Sequence, residues 1–405
     1  MASTNRVRTE SEGTPAFPPT EVPVAGVSWQ RNLAFISIGV FVGLLGANFV
    51  FPFIPFYLRE LGVDSKSDRA FWTGVSGSVT GLSLTLTAPV WGSMADRFGR
   101  KSMFLRALIG AGILIGLMGV AQTLWHFVLL RFIMGAFAGT MGAAAALVAA
   151  TTPRAKVGYA LGMLQSAQFT ANMLGPLVGG VVSASLGLRE SFFFCAALYA
   201  AAVLLVWLFV NEGDGHPEPL PVPSKAAPSG GLIYNLRIVI AERQIVVMLI
   251  FLFLLWLGTT FVRPVMPISI DDFAESDEHV RFSIASRRID MSEELATGLV
   301  FGIIGLTSTI AALSVGPVGE RIGYRKSVVG AAGITGLLFV PVALAQNYVA
   351  FFVLMGATGL FQGAMVPGTN ALIAAAVPEG KQGSAFGLAA SAQSMALLLG
   401  PLAGG

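Results

Sequence analysis

The chain has 405 residues, of which 54% are apolar and only 12% are charged, with 25 Lys and Arg against 22 Asp and Glu. A soluble domain carries about 25% charged residues, so this composition excludes an ordinary soluble protein and a nucleic-acid-binding domain. One cysteine and three scattered histidines exclude an internal disulfide and metal-ligand spacing. No phosphate-binding G-x-x-x-x-G-K-[ST] motif occurs, which excludes an ATP-driven pump in one chain.

Long apolar segments recur along almost the whole chain. A helix needs about 20 apolar residues to cross a hydrocarbon core of about 30 Å. The segments predict ten complete membrane spans and an eleventh that is unfinished, at residues 32–58, 73–94, 103–122, 126–150, 159–183, 190–211, 245–270, 297–317, 327–345, 349–376 and 384–405.

Two polar regions divide these spans. Residues 1–28 are predicted to be a disordered cytoplasmic tail, and the Pro-rich residues 212–244 to be a cytoplasmic linker. The linker separates an N-terminal six-helix bundle, 29–211, from a C-terminal bundle, 245–405. Basic residues lie mostly in the tail, the linker and every second loop, which predicts a cytoplasmic N-terminus.

The two bundles are copies of one unit. The segment from Pro153 aligns without a gap to the segment from Pro378, and GSMADRFGRKS from Gly92 matches GPVGERIGYRKS from Gly316. Duplicated bundles with a substrate site at their seam are typical of secondary transporters. The copy of the sixth span would begin beyond residue 405, so we expect the twelfth helix to be missing from this chain, through truncation or through loss.

Three motifs stand out: GSMADRFGRKS in the loop after span 2, LLRFIMG with Arg131 in span 4, and Gly175, Pro176, Gly179 and Gly180 at the end of span 5. They resemble motifs of the major facilitator superfamily, and within it of the bacterial twelve-helix drug:proton antiporters. The loop after span 2 is similar to the signature G-x-x-x-D-R-x-G-R-K, span 4 has an intramembrane arginine, Arg131, and span 5 ends in an antiporter motif. The resemblance implies an all-α integral membrane fold of two six-helix bundles and no enzyme activity. The loop motif and its copy comprise Gly92, Asp96, Arg97, Gly99, Arg100, Lys101, Gly316, Glu320, Arg321, Gly323, Arg325 and Lys326; the antiporter motif and its copy comprise Gly175, Pro176, Gly179, Gly180, Gly400, Pro401, Gly404 and Gly405.

The resemblance implies roles for these motifs. Asp96 is expected to engage the start of span 11 and lock the cytoplasmic side, with Glu320 acting likewise at span 5; the alternative is a solvated loop that only fixes topology. The antiporter motif is expected to form a bendable seam, the alternative being ordinary small-residue packing. For Gly112, Gly116 and Gly119 in span 3 we expect packing alone.

Charged groups within the spans are few. Arg131 is the candidate for coupling because a buried arginine in lipid is costly, whereas Arg263 either snorkels to the interface or has a role. No span interior contains Asp or Glu, and Asn48 stands where many drug:proton antiporters carry a carboxylate, so the proton carrier is not identified. The acidic residues between Asp271 and Glu294 are expected to form a solvated loop.

Polar side chains at mid-span depth predict a substrate cavity where the halves meet. Aromatic residues at this depth are expected to supply its apolar wall, the alternative for each being lipid contact or core packing: Phe49, Phe53, Phe169, Trp256 and Phe361. Amides, aromatics and arginine without a carboxylate suit neutral or anionic amphiphiles better than dications. The predicted cavity residues are Asn48, Gln168, Asn172, Trp256, Gln362 and Gln393.

The sequence thus favours proton-coupled efflux of hydrophobic drugs or amphiphiles across the inner membrane. A sugar or metabolite permease on the same fold, and a receptor or scaffold that moves nothing, remain alternatives. We expect a small-molecule substrate and the lipid bilayer as partners, no nucleic acid, no metal, a monomeric state, and no cofactor, the proton gradient supplying the energy.

Overall fold

A computed structural model describes residues 28–153, 156–212, 243–274, 279–284, 287–376 and 382–404. Nearly all of the predicted tail and linker fall outside these ranges. The described residues are helical apart from short turns, one 3-10 turn and one β-hairpin. Nine helical segments among them are long and apolar enough to cross a membrane. The predicted spans 2 and 11 are helical too, but they fall outside these nine.

The helices follow the predicted spans closely. The N-terminal half contains α1 (Trp29–Val50), α2 (Ile54–Glu60), α3 (Lys66–Phe98), α4 (Arg100–Gly119), α5 (Leu124–Phe137), α6 (Thr140–Thr151), α7 (Val157–Leu186) and α8 (Leu188–Phe209). The C-terminal half contains α9 (Arg243–Asp271), strands β1 (His279–Ile284) and β2 (Arg287–Ser292), α10 (Glu293–Ile322), α11 (Tyr324–Ala343), α12 (Tyr348–Ala376) and α13 (Gln382–Gly404).

Hydroxyl side chains start several of these helices. Ser28, Ser65, Thr123 and Ser292 each accept a hydrogen bond from the backbone N–H three residues further on, at 3.2–3.4 Å. Such caps satisfy donors that would otherwise have no partner at a helix N-terminus. They fix the starts of α1, α3, α5 and α10 at the edges of the apolar segments.

Two predicted spans are interrupted rather than continuous, which corrects the sequence prediction. Span 1 passes through a 3-10 turn at Phe51–Phe53, which contains Pro52. Span 4 breaks between α5 and α6, where Gly139 has φ +109°, a left-handed conformation that glycine adopts without steric cost.

Side chains of neighbouring helices satisfy the carbonyls around the break in span 4. The Ala136 carbonyl accepts from Thr87 Oγ1 at 3.3 Å and from Trp91 Nε1 at 2.5 Å. The Ala138 carbonyl accepts from the Arg106 guanidinium at 3.5 Å. Irregular backbone at membrane depth is tolerated only where protein or cavity water meets its polar groups.

Each half has its own apolar core. In the N-terminal half, Phe49, Phe53 and Tyr57 belong to one buried cluster, and the Tyr57 hydroxyl donates to the Met118 carbonyl at 2.6 Å. In the C-terminal half, Tyr348 packs in the second cluster and donates to the Ala296 carbonyl at 2.8 Å. Phe49 and Phe53 are therefore core residues, which was the alternative to a place in the cavity wall.

Small residues let the helices within a half pack closely. A Cβ built on Gly112, Gly116 or Gly119 of α4 would lie 2.8–3.3 Å from residues of α8. The prediction that these glycines serve packing is confirmed. In the same way, α1 packs on α7 in the N-terminal half and α9 packs on α13 in the C-terminal half. The duplicated sequence thus produces the same helix contacts in both halves.

We call the two ends of the bundle the linker side and the hairpin side. The linker side carries the loops at residues 98–101 and 322–325, and the hairpin side carries β1 and β2. The strands pair antiparallel from His279 opposite Ser292 to Ile284 opposite Arg287. Hydrogen bonds from His279 and Arg281 hold the pKa of the exposed Asp290 carboxyl below its usual value.

Candidate functional site

The halves meet along two seams, one of which is formed by α7 and α10. A Cβ built on Gly298 would lie 2.7 Å from the Pro176 carbonyl oxygen and 2.9 Å from Gly180 Cα. A Cβ built on Gly305 would lie 2.8 Å from Met173 Cα. Backbones approach this closely only where side chains are absent.

The second seam is formed by α3 and α13. A Cβ built on Gly77 would lie 3.1 Å from the Pro401 side chain, and one built on Gly81 would lie 3.4 Å from the Leu397 carbonyl oxygen. Ser78 donates across the seam to the Leu398 carbonyl at 2.6 Å. The repeated Gly-Pro motif thus lies at both seams.

The same motif also packs each interface helix against its own half. On α7, a Cβ built on Gly175 would lie 2.8 Å from Asn48 Cβ, and one on Gly179 would lie 2.6 Å from the Phe49 carbonyl oxygen. On α13, Gly400 packs against Thr260 and Gly404 against Phe261. Gly405 lies outside the described residues. Each helix that carries the motif, α7 or α13, therefore packs on one helix of its own half and on one helix of the other half.

The seams are packed on the hairpin side and exposed on the linker side. The cross-seam contacts at 173–180 of α7, 298–305 of α10, 77–81 of α3 and 397–401 of α13 lie in the halves of these helices nearer the hairpin. Toward the linker side, Phe169 is 40% exposed, Leu86 63%, Ile310 51% and Met395 58%. Among the described residues, the close contacts between the halves are therefore concentrated on the hairpin side.

Ion pairs between the halves hold the hairpin side closed. The Arg69 guanidinium of α3 donates to Asp271 at the end of α9, at 2.9 Å, and both groups are largely buried. Lys66 Nζ lies 2.6 Å from Asp272 and 3.5 Å from Asp271. Arg59 of α2 pairs with the fully buried Glu293 at the start of α10. We call these six side chains the hairpin-side latch.

The latch overturns part of the prediction for the acidic segment. Asp271 and Glu293 are largely buried ion-pair partners of the opposite half, whereas Asp272 pairs with Lys66 but stays exposed, as expected of a solvated loop. Glu275, Asp277 and Glu278 lie outside the described residues. The segment is predominantly acidic, and the basic residues that face it are far away in sequence on α2 and α3, so composition alone gave no signal for the pairing.

Some of the predicted cavity amides are brought together. Asn48 of α1 donates to Asn172 Oδ1 of α7 at 2.8 Å and to its own helix at the Leu44 carbonyl. Gln165 donates to Gln168 at 2.6 Å. Asn172 is exposed, and Gln168, Gln362, Gln393 and Trp256 are half-buried. The indole N–H of Trp256 is buried and has no acceptor among the described residues.

Arg131 is buried in the N-terminal half beside α3. Thr80 Oγ1 donates to the Arg131 carbonyl at 3.0 Å, and the guanidinium Nε has no acceptor among the described residues. Sequence reasoning did not identify Arg106, whose guanidinium carbon lies 3.6 Å from the centre of the Trp91 ring. Such a cation–π contact stabilises a cation where water is scarce.

The loop motif on the linker side is only partly described. Gly92, Asp96 and Arg97 fall on α3, and Gly316 and Glu320 on α10, but their side chains lie outside the described part of the structure. Arg321, Arg325 and Lys326 are exposed. Gly99 and Gly323 have φ of +88° and +89°, so both copies of the motif turn the chain at the same point.

Within the N-terminal half this loop contacts the end of span 6. The Glu212 carboxylate accepts from the backbone N–H of Arg100 at 2.7 Å and of Lys101 at 3.1 Å, at the N-terminus of α4. Lys101 Nζ donates to the Val210 carbonyl at 2.6 Å at the end of α8. Each charge lies at the helix end that favours it. Glu212, which the sequence places in the linker, is thus a structural part of the motif.

Comparison with known sequences decides the family. The family model of the Major Facilitator Superfamily matches residues 36–286 and 248–405. The chain belongs to the major facilitator superfamily. It is similar to multidrug resistance protein MdtG of Yersinia enterocolitica, at 30% identity over 93% of this chain and 86% of the relative. It is also similar to MdtG of Enterobacter lignolyticus, at 32% identity over 94% and 86%.

Solved structures of other members have the same fold. The nucleoside transporter NupG superposes with a TM-score of 0.70 at 14% identity, over 91% of this chain and 89% of that one. A bacterial homologue of the human lysosomal transporter Spinster, in an inward-facing and unoccupied conformation, superposes with a TM-score of 0.71 at 13% identity, over 93% and 81%. This superfamily member is a multi-pass membrane transporter and not an enzyme.

Proposed function

We propose that this transporter exports hydrophobic or amphiphilic compounds in exchange for protons, by alternating access. The observation that carries the proposal is the asymmetry of the seams among the described residues, whose close contacts and ion pairs lie on the hairpin side. A duplicated bundle in this state needs only a rocking motion of its halves to reverse the asymmetry. The relatives' name, multidrug resistance protein, supports the substrate class.

We place the linker side, the N-terminus and the tail in the cytoplasm of a bacterial cell, with the transporter in the inner membrane. The basic residues of the loop motif, including Arg100, Lys101, Arg325 and Lys326, lie on the linker side. Lys and Arg near the ends of spans favour the cytoplasmic side. The structure then corresponds to an inward-open state that receives substrate from the cytoplasm.

Two roles follow from this assignment. Asp96 and Glu320 close the linker side in the opposite state, in which the hairpin-side latch is broken. Arg131 couples proton movement to the exchange between states, because a guanidinium buried without a carboxylate partner among the described residues responds to any protonation change nearby. The transporter acts as a monomer on a small molecule, with the proton gradient as its energy source and no cofactor.

Substrate-driven proton movement in proteoliposomes tests the proposal. A hydrophobic dye added outside is expected to change the internal pH, and a sugar is expected to leave it unchanged. Asp96→Asn and Arg131→Ala should abolish the pH change, whereas Arg189→Gln, which removes a surface ion pair within one half, should not. Dye equilibration without proton movement would instead establish a facilitator.

A metabolite or sugar permease is the second candidate. It is favoured by the amide pair Asn48 and Asn172, because amides hydrogen-bond hydroxyl groups well. Proton movement driven by the sugar and not by the dye would select this alternative. Binding of either compound with no transport into a sealed vesicle would indicate a receptor or scaffold.

A further inference from the structure

Spans 1 and 7 contain a repeat that the loop motifs do not cover. The segment Arg263-Pro264-Val265-Met266-Pro267 aligns without a gap to Phe51-Pro52-Phe53-Ile54-Pro55, so both prolines recur at the same spacing. The contacts confirm this register. Gly175 packs against Asn48 in one half as Gly400 packs against Thr260 in the other. Arg263 is therefore the structural counterpart of Phe51.

These two counterpart residues contact each other. The guanidinium carbon of Arg263 lies 5.7 Å from the centre of the Phe51 ring. Equivalent positions of two pseudo-symmetric halves meet only near the axis that relates the halves. Arg263 therefore faces the central seam, and the snorkelling alternative, in which its head would leave the protein at the lipid interface, does not describe it.

Arg263 is also accessible and unneutralised. Its side chain is exposed, and the described residues offer it no carboxylate; its only described partner is the Phe51 ring. The nearest acid on the same helix is Asp271, about 12 Å further along the axis, and that carboxylate is occupied by Arg69, Lys66 and Arg59. Arg131 differs, because it is buried within one half and out of reach of a substrate.

A cation at membrane depth is costly unless water or an anion meets it. The Phe51 ring contacts the Arg263 guanidinium. The N–H groups of a guanidinium form a planar fork suited to two-point contact with a carboxylate or phosphate. The unpartnered Trp256 indole N–H lies two helical turns closer to the linker side on the same helix. A polar head group at Arg263 would thus extend its apolar body toward the open side.

We propose that Arg263 is the head-group subsite of the transporter, binding the carboxylate, phosphate or phosphonate of an anionic amphiphile. This inference rests on the proposed export of amphiphiles and narrows their class to compounds with an anionic end. Phe51 positions the guanidinium and does not itself bind the anion.

Equilibrium binding in nanodiscs tests the subsite without any pH gradient, so its outcome is independent of proton exchange. The probes are a dansyl-labelled undecanoate and its primary amide, which differ only in the charge of the head. Wild-type protein in phosphatidylcholine nanodiscs is expected to bind the carboxylate more tightly than the amide. Arg263→Gln should weaken carboxylate binding at least roughly tenfold and leave the amide unchanged, and Arg263→Lys should retain most of the preference.

Control measurements distinguish anion binding at Arg263 from a structural role and from lipid binding. Arg189→Gln removes an arginine of the N-terminal half that lies away from the seam, and it should leave both affinities unchanged. If Arg263→Gln weakened the binding of both probes equally, the residue would have a structural role and the proposal would be overturned. A wild-type protein that binds both probes equally well would also overturn the proposal. Displacement of the carboxylate probe by added phosphatidylglycerol would overturn it too, because the site would then hold a lipid head group.

Discussion

The hairpin-side latch gives a direct test of how the closed state is maintained. Asp271 receives three cations from the opposite half, from Arg59, Lys66 and Arg69. The substitution Asp271→Asn keeps the shape and one hydrogen-bond acceptor but removes the charge. We expect it to shift the population toward a state that is open on the hairpin side.

The magnitude follows from the surroundings of Arg69. That side chain is only 3% exposed, and its Nε and Nη1 atoms have no acceptor among the described residues, so Asp271 is its counter-charge. Removing one member of a buried ion pair costs about 3–5 kcal/mol. The retained acceptor and the neighbouring Asp272 reduce this cost, and we take about 2 kcal/mol, which changes the ratio of closed to open states about thirtyfold.

Distances between spin labels measure that ratio. Asp64→Cys, in the loop between α2 and α3, and Ser283→Cys, on β1, place labels at two positions of opposite halves on the hairpin side. The native Cys195 is buried and should remain unlabelled. In Asp271→Asn the long-distance population should increase, and Arg69→Gln combined with it should add less than the sum of the single effects.

The matched control is Glu60→Gln. It breaks the ion pair between Glu60 and Arg189 on the same side of the bundle, but both residues belong to the N-terminal half. The distance distribution should therefore not change. An unchanged distribution in Asp271→Asn, or an equal shift in Glu60→Gln, would refute a role for inter-half charge pairing in maintaining the closed state.

Three further outcomes follow from the packing and the helix ends. Gly298→Val should open the hairpin side in the same label experiment, because its Cβ would meet the Pro176 carbonyl oxygen at 2.7 Å, whereas Gly330→Val, which faces open space, should not. Gly139→Ala should lower the thermal midpoint, at a cost of roughly 1–2 kcal/mol for a left-handed alanine, whereas Gly142→Ala, within α6 and facing open space, should not lower it. Glu212→Gln should cost about 1 kcal/mol of stability at low salt and less at high salt, because it removes a half-buried charge at the N-terminus of α4. A salt-independent loss would contradict this electrostatic role.

The helical architecture could be predicted from the sequence because the membrane imposes it. Apolar segments of about 20 residues have few alternatives to a helix in lipid, and the spans of both halves follow that rule. The breaks at Phe51–Phe53 and Gly139 could not be placed, because glycine and proline also occur inside intact helices such as α7, which contains Pro176. A broken helix differs from an intact one by the side chains of other helices that hydrogen-bond to its free carbonyl groups, and these contacts are not visible in the sequence.

The candidate site could be predicted only where the duplication marked it. The antiporter motif recurs in both halves, and the structure places Pro176 and Gly180 at one seam and Pro401 at the other. The latch joins residues such as Arg69 and Asp271 that are separated by most of the first bundle, and charge pairs of this kind leave no periodic signal. Arg263 could be interpreted only after its contact with Phe51 showed on which side of α9 it lies.

Among the described residues, the β-hairpin packs on helices of the C-terminal half. Val280 is fully buried in the C-terminal core, and the Phe282 ring lies 5.1 Å from that of Tyr348 on α12. The hairpin is therefore expected to move with the C-terminal half as one rigid body. An antibody fragment that binds the hairpin alone is expected to move with the C-terminal half. One that also binds the Lys66 end of α3 is expected to link the two halves and stop their relative motion.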